Sequence, residues 1–239
     1  MSEESILPRI ARASNIESAR AYSLEKAKLS RKVLIIMMGY PGAGKTTTAH
    51  RLRRALSDTM VVSRDYFRLP YKRESSLKYT KSENDYVDSK FYKFAEAQLS
   101  LYSVVVLDAT FRERTKRLAA LGLARKQFCE PFLILCRCSH EINLQRLQRQ
   151  QLAGEKTFTI HPKGVLEYYT RSTENLKDGE LEILNFIQLD TEKDHISKFS
   201  LKSSDDNSST SSFASQITEI LTKPFNFNLH TSDFLLEYK

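Results

Sequence analysis

Gly39-Tyr40-Pro41-Gly42-Ala43-Gly44-Lys45-Thr46 satisfies the pattern G-x-x-x-x-G-K-[ST], and its reading decides the fold. In such a stretch the glycines let backbone N–H groups turn inward on phosphate oxygens, while the helix that follows presents its positive end to the same anion. Lys45 then reaches the β- and γ-phosphates, the Thr46 hydroxyl serves Mg²⁺, and Thr47 completes the nucleotide-binding set. At average residue usage a chain of this length produces the pattern by chance about once in a hundred. The flanks agree with it. Val33–Met38 is a short continuous apolar run of the kind buried on both faces of a parallel sheet, and Ala49, Leu52, Ala55 and Leu56 recur at helical spacing afterwards.

Working outward, strand-like runs recur at Val33–Met38, Met60–Ser63, Ser103–Leu107, Phe132–Cys138 and Leu184–Leu189. Helix-compatible segments separate them, at about 45–57, 83–100, 112–128, 139–151 and 163–177. This alternation predicts an α/β three-layer sandwich with a mainly parallel five-stranded sheet. Residues 1–30 read as an N-terminal helical extension, 31–198 as the phosphate-loop domain, 199–215 as a Ser-rich flexible linker, and 216–239 as a tail with enough apolar residues to dock on the core.

The chain has 239 residues and a net charge of +8, from Lys+Arg 37 against Asp+Glu 29. That balance favours anionic partners such as nucleotides or nucleic acids and says nothing of fold. Cys129, Cys136 and Cys138 are an odd set without metal spacing, and they read as reduced thiols. No run is long enough for a membrane span, and acidic residues at the N-terminus argue against a transit peptide, so a cytoplasmic location is expected with no membrane partner. His140 and His161 stand alone and receive no role.

Five further segments bear on the chemistry. The second strand runs into Ser63-Arg64-Asp65-Tyr66-Phe67-Arg68; Asp65 can take a proton from an attacking hydroxyl and Arg68 can bind the acceptor, or Asp65 can simply cap a helix. The third ends in Val104-Val105-Val106-Leu107-Asp108, where the carboxylate can hold Mg²⁺. Because Asp108 precedes Ala109, the second acid of many motor ATPases is missing, and no Asn-Lys-x-Asp motif reads guanine. Arg112, Arg114, Lys116 and Arg117 crowd a helix start, against the helix dipole. They either face an anionic substrate or form a solvated basic face. Arg146 and Arg149, three apart on one helical face, can bring charge to a transferring phosphoryl group. Tyr71–Lys81 interleaves basic and aromatic residues, as a base-stacking segment or as a solvated loop.

Taken together, residues 32–195 resemble the phosphate-loop kinases that include the 5′-hydroxyl polynucleotide kinases and, through Thr110-Phe111-Arg112, the zeta-toxin kinases. The resemblance implies ATP and Mg²⁺ as cofactors, Asp65 as general base, Arg68 as substrate-phosphate ligand, and Arg146 or Arg149 as lid arginine. It implies Arg64, Thr110, Arg112, Arg114 and Arg117 as substrate-side candidates. The acceptor it favours is a nucleic-acid 5′-hydroxyl, with a small molecule as the alternative; a nucleotide-binding regulatory module without transfer is the third reading.

Overall fold

In this computed structural model the described residues are 32–71, 80–154 and 161–200, together with Ile217. The expected N-terminal helix, the basic aromatic loop at 72–79, the Ser-rich linker beyond residue 200 and most of the tail lie outside them.

Strand β1, Val33–Met38, is buried along its whole length. Its side chains alternate between two cores, which is why the run is apolar without a break. Val33, Ile35 and Met37 join Ala49 and Leu52 of helix α1 (Lys45–Ala55) and Leu56 at its C-cap, and Ile217 is fully buried in this same cluster. Leu34, Ile36 and Met38 face the opposite layer, built from α2 (Lys81–Leu101) and α3 (Arg114–Lys126) through Phe91, Ala95, Leu99, Ala120 and Ala124. Each large apolar side chain so enclosed is worth about 1.5–3 kcal/mol. A capping box at Thr80 and Glu83 starts α2 by satisfying donors that the first turn cannot.

The other strands are β2 (Thr59–Ser63), β3 (Val104–Asp108), β4 (Glu130–Arg137), β5 (Asn185–Asp190) and β6 (His195–Ser200), in the order β2-β3-β1-β4-β5-β6. All five anticipated strands are present, and all pair in parallel. The sixth, β6, adds an antiparallel edge to β5 and runs two residues into the expected linker. Its exposed, polar pattern carries no burial signal for sequence reading.

From β1 the chain moves first to one side, through β2 and β3, and then to the other, through β4 and β5. The crevice at such a switch point, beyond the carboxyl ends of the strands, is where open α/β sheets hold ligands. Register fixes what gathers there: Met37 lies opposite Asp108 on one side and Ile134 on the other, and Ser63 lies opposite Asp108. Helices α4 (His140–Leu152) and α5 (Pro162–Ser172) follow β4, and a short α6 (Asp178–Leu181) precedes β5. The helix anticipated over 163–177 therefore ends at Ser172, because the Glu174 N–H leaves the helical ladder to donate to the Arg112 carbonyl (2.9 Å). No described helix is long and apolar enough to cross a membrane, and all three cysteines are free thiols.

Candidate nucleotide and acceptor site

The loop Gly39–Thr46 leaves β1 at the switch point. Gly44, the N-cap of α1, is left-handed (φ 87°), and a Cβ on Gly42 (φ 80°) would lie 2.6 Å from the Asn143 Oδ1 of α4. Only glycine gives both the conformation and the clearance. No side chain caps α1 and no acid occupies its first turn, so its leading N–H groups, which have no intrahelical acceptor, remain directed at the crevice. Asn143 is itself buried, its Oδ1 without a donor among the described residues.

Lys45 is 8% exposed, and its Nζ donates to the Tyr40 carbonyl at 2.8 Å, folding the cation back along the loop. Thr46 Oγ1 donates to Asp108 Oδ2 at 2.8 Å, bringing together a hydroxyl and a carboxylate from residues 62 positions apart. These two oxygens suit Mg²⁺, which uses one or two protein ligands with waters and phosphates completing the octahedron. No group of three His, Cys, Asp or Glu side chains able to hold a metal occurs among the described residues.

Thr191, just past β5, ties the loop to α4. Its hydroxyl lies 3.0 Å from the Ala43 carbonyl, and it receives both Arg146 Nη1 on Oγ1 and Arg146 Nη2 on its carbonyl, each at 2.9 Å. Arg146 is thus braced against Thr191 in this state, whereas Arg149 is exposed on α4. Cys136 lies beneath the loop against Thr48, and burial pushes its thiol up to about 12. His161 proves to be the N-cap of α5, accepting from the Lys163 N–H.

The chain after β2 forms a 3-10 turn, Arg64–Tyr71, rather than the start of an α-helix. Asp65 is 64% exposed and lies 3.4 Å from Arg68 Nη1. Arg64 turns away from them: its Nε meets Asp88 of α2 at 2.5 Å, and its Nη2 meets Asn84. Lys116 pairs with the same Asp88. Burial alone would raise the Asp88 carboxyl, but hydrogen bonds and charge from Arg64 and Lys116 hold it below its ordinary value. Arg64 and Lys116 are therefore engaged in joining β2, α2 and α3.

Arg117 is neither solvated nor substrate-facing. It is fully buried, with Nε 2.7 Å from Glu180 Oε1 and Nη2 3.1 Å from Glu180 Oε2. Its remaining donors reach the carbonyls of Phe111, Arg112, Glu174 and Asn175 at 3.1–3.2 Å. Every guanidinium donor group is used internally, clamping the loop after β3 to the loop after α5. Burial raises the Glu180 carboxyl, but Arg117 outweighs it, helped by the Lys177 N–H and Arg114, so the group is held below its ordinary value. Arg114 itself is 48% exposed, 3.7 Å from Glu180. Arg117→Leu leaves the buried Glu180 with only the Lys177 N–H and the half-exposed Arg114 as partners and is expected to cost about 3–5 kcal/mol, read as a fall in Tm. Replacing Glu180 by Leu in the same chain should recover part of that loss.

Thr110 enters through its backbone, its carbonyl accepting from the Gly39 N–H at 3.3 Å. Arg112 lies over two tyrosines of α5, 4.9 Å from the Tyr168 ring and 5.5 Å from that of Tyr169. Neither tyrosine was expected at the site, since nothing in the local spacing marks them. Thr191 could have been found, because it stands at the carboxyl edge of a strand as Asp65 and Asp108 do.

A family model described as AAA domain matches residues 34–176, more than half of the chain. Among solved structures, a candidate kinase from Chloroflexus aurantiacus J-10-fl is 20% identical, with a TM-score of 0.56, covering 68% of this chain and 89% of its own. The structure of APE1195 is 19% identical with a TM-score of 0.50, covering 81% and 98%. At these identities the two share the fold. No curated protein matches the chain at a significant level.

Proposed function

The chain belongs to the AAA domain family and the P-loop kinase-like superfamily, and on that premise we propose that it is an ATP-dependent phosphotransferase acting on an alcohol. The observation that carries this reading is the contact of Thr46 with Asp108 at the switch point, with Asp65 and Arg68 on the neighbouring strand end. A nucleotide binder needs the first pair alone, while a proton acceptor beside an arginine is what transfer to a hydroxyl requires.

In this reading the loop N–H groups and Lys45 hold the β- and γ-phosphates of ATP. Thr46 and Asp108 would hold Mg²⁺, whose charge would offset that of the phosphates. Asp65 takes the proton of the acceptor hydroxyl as its oxygen bonds to the γ-phosphorus. The bond from that phosphorus to the β,γ-bridging oxygen breaks, and ADP leaves with the electron pair. Arg68 orients the acceptor, and Arg146, released from Thr191, or Arg149 brings charge to the phosphoryl group in flight. The domain is taken to span 31–198, extended to Ser200 by β6, with the tail from 216 docking through Ile217, in a cytoplasmic protein.

The acceptor we favour is a nucleic-acid 5′-hydroxyl, supported by the turn Arg64–Arg68 and the net charge of +8. Incubation with γ-labelled ATP and 5′-hydroxyl DNA and RNA oligonucleotides should place label on their 5′ ends. Failure across both polymers, with labelling of a nucleoside or sugar instead, replaces this acceptor by a small molecule.

A further inference from the structure

The outer face of α2 combines rings and cations in a way that an ordinary solvated helix does not. Tyr86, Lys90, Lys93 and Phe94 recur at i, i+4, i+7 and i+8, so they share one side of the helix. All four are exposed, and the Lys90 ammonium lies over the Tyr86 ring, 5.3 Å from its centroid. The acids of the helix do not neutralise this side. Glu83 closes the capping box, Asp88 is held by Arg64 and Lys116, and Glu96 pairs with Lys126. Asp85 stands about 100° around the helix from Tyr86, turned away from Lys90 and Phe94. Lys90 and Lys93 have no carboxylate partner among the described residues.

Aromatic contacts carry this face to the candidate site. Phe94 packs on Phe67 of the turn after β2, with centroids 5.7 Å apart, and Phe67 meets Tyr66 edge-on at 5.4 Å. Phe67 is fixed in turn by the buried ring of Phe91 at 6.3 Å. Tyr66 is exposed and follows Asp65 directly, so open rings run from that carboxylate out to the helix. Tyr86 and Phe94 then stand about 12 Å apart along the axis, at 1.5 Å per residue. The basic and aromatic segment Tyr71–Lys81 of the sequence ends on the first residue of this helix. Interfaces between proteins deplete lysine at their centre. Here two lysines stand among the rings, which suits a polyanion that also offers flat apolar faces.

We infer that this side of α2 is the track of a single-stranded nucleic acid, whose bases stack on Tyr66, Phe94 and Tyr86 while Lys90 and Lys93 follow its phosphate backbone. The inference rests on the proposed nucleic-acid acceptor and deepens it: the acceptor is a polymer gripped away from its reacting end. A duplex keeps its base faces stacked on one another and would gain from the lysines alone.

The test titrates the full chain with fluorescent single-stranded DNA and RNA oligonucleotides, an abasic strand of the same length, and a duplex, following anisotropy over a range of salt concentrations. Single strands should bind more tightly than the abasic strand. Tyr86→Ala should weaken single-strand binding by about 10-fold, as the loss of one stacking ring does, and leave the abasic strand's weaker binding as it was. Lys90→Gln combined with Lys93→Gln should lower the slope of log affinity against log salt by about 1.4, for two phosphates at about 0.7 each. Single strands bound no better than the abasic strand, or indifferent to both changes, overturn the inference, and 5′-end labelling by that same protein leaves the kinase reading standing. Strand binding that depends on Tyr86 and the lysines, with label on no 5′ end, keeps the track and removes the nucleic-acid acceptor. A chain that binds no strand and self-associates through Tyr86 overturns the inference and gives the face to a second copy.

Discussion

Asp65→Asn is expected to lower phosphoryl transfer by about 10²- to 10⁴-fold, the contribution of a positioned general base, while ATP binds as before. The two results come apart because of where Asp65 stands. It belongs to the turn after β2, beyond Ser63, which lies opposite Asp108, and it is 64% exposed with Arg68 Nη1 3.4 Å away. Asparagine has nearly the same shape and keeps an oxygen for Arg68, but it cannot take up the hydroxyl proton. Calorimetric titration with ATP and a transfer assay on the same preparation separate the effects. An equal loss of ATP affinity would place Asp65 on the donor side and contradict its role.

Lys45→Met is expected to damage both steps. Removing a preorganised cation or donor aimed at developing charge costs about 10²- to 10³-fold in rate, and the ground-state contact to the phosphates goes with it. Its effect on stability should run the other way. Lys45 is a cation at 8% exposure with Nζ on the Tyr40 carbonyl, and methionine of similar length needs no such partner once buried. The variant should keep or raise Tm while losing ATP affinity and transfer, a pattern typical of residues retained for function. A variant that binds ATP and transfers phosphate like the wild type would sink the phosphate-loop assignment.

The parallel sheet was legible because strands buried on both faces must be written as unbroken apolar runs, as Val33–Met38 and Val104–Leu107 are. β6 was not, since an edge strand with exposed side chains has no such constraint. At the site, the loop and the acids at strand ends were readable because their chemistry depends on local order. The arginines were not. Arg117 and Arg112 stand five residues apart in a run of basic residues, and their fates are set by Glu180 and by Tyr168 and Tyr169, more than fifty positions away. Charge pattern alone cannot separate a buried clamp from a ligand, because only the fold brings the deciding partner near. Arg146 shows the same limit: its helical face was anticipated, but its anchor on Thr191 comes from the end of the neighbouring strand β5, distant in sequence.

The most direct measurement follows the γ-phosphate itself. Wild-type protein and Asp65→Asn are each given γ-labelled ATP, Mg²⁺ and a pool of alcohols spanning oligonucleotide 5′ ends, nucleoside monophosphates and sugar phosphates, and the label is traced to an ester, to free phosphate or to unreacted ATP. The account predicts label in a phosphate ester of one acceptor class with the wild type and almost none with the variant. Bound ATP whose label never leaves the nucleotide, or leaves only as free phosphate at equal rates in both proteins, would contradict it.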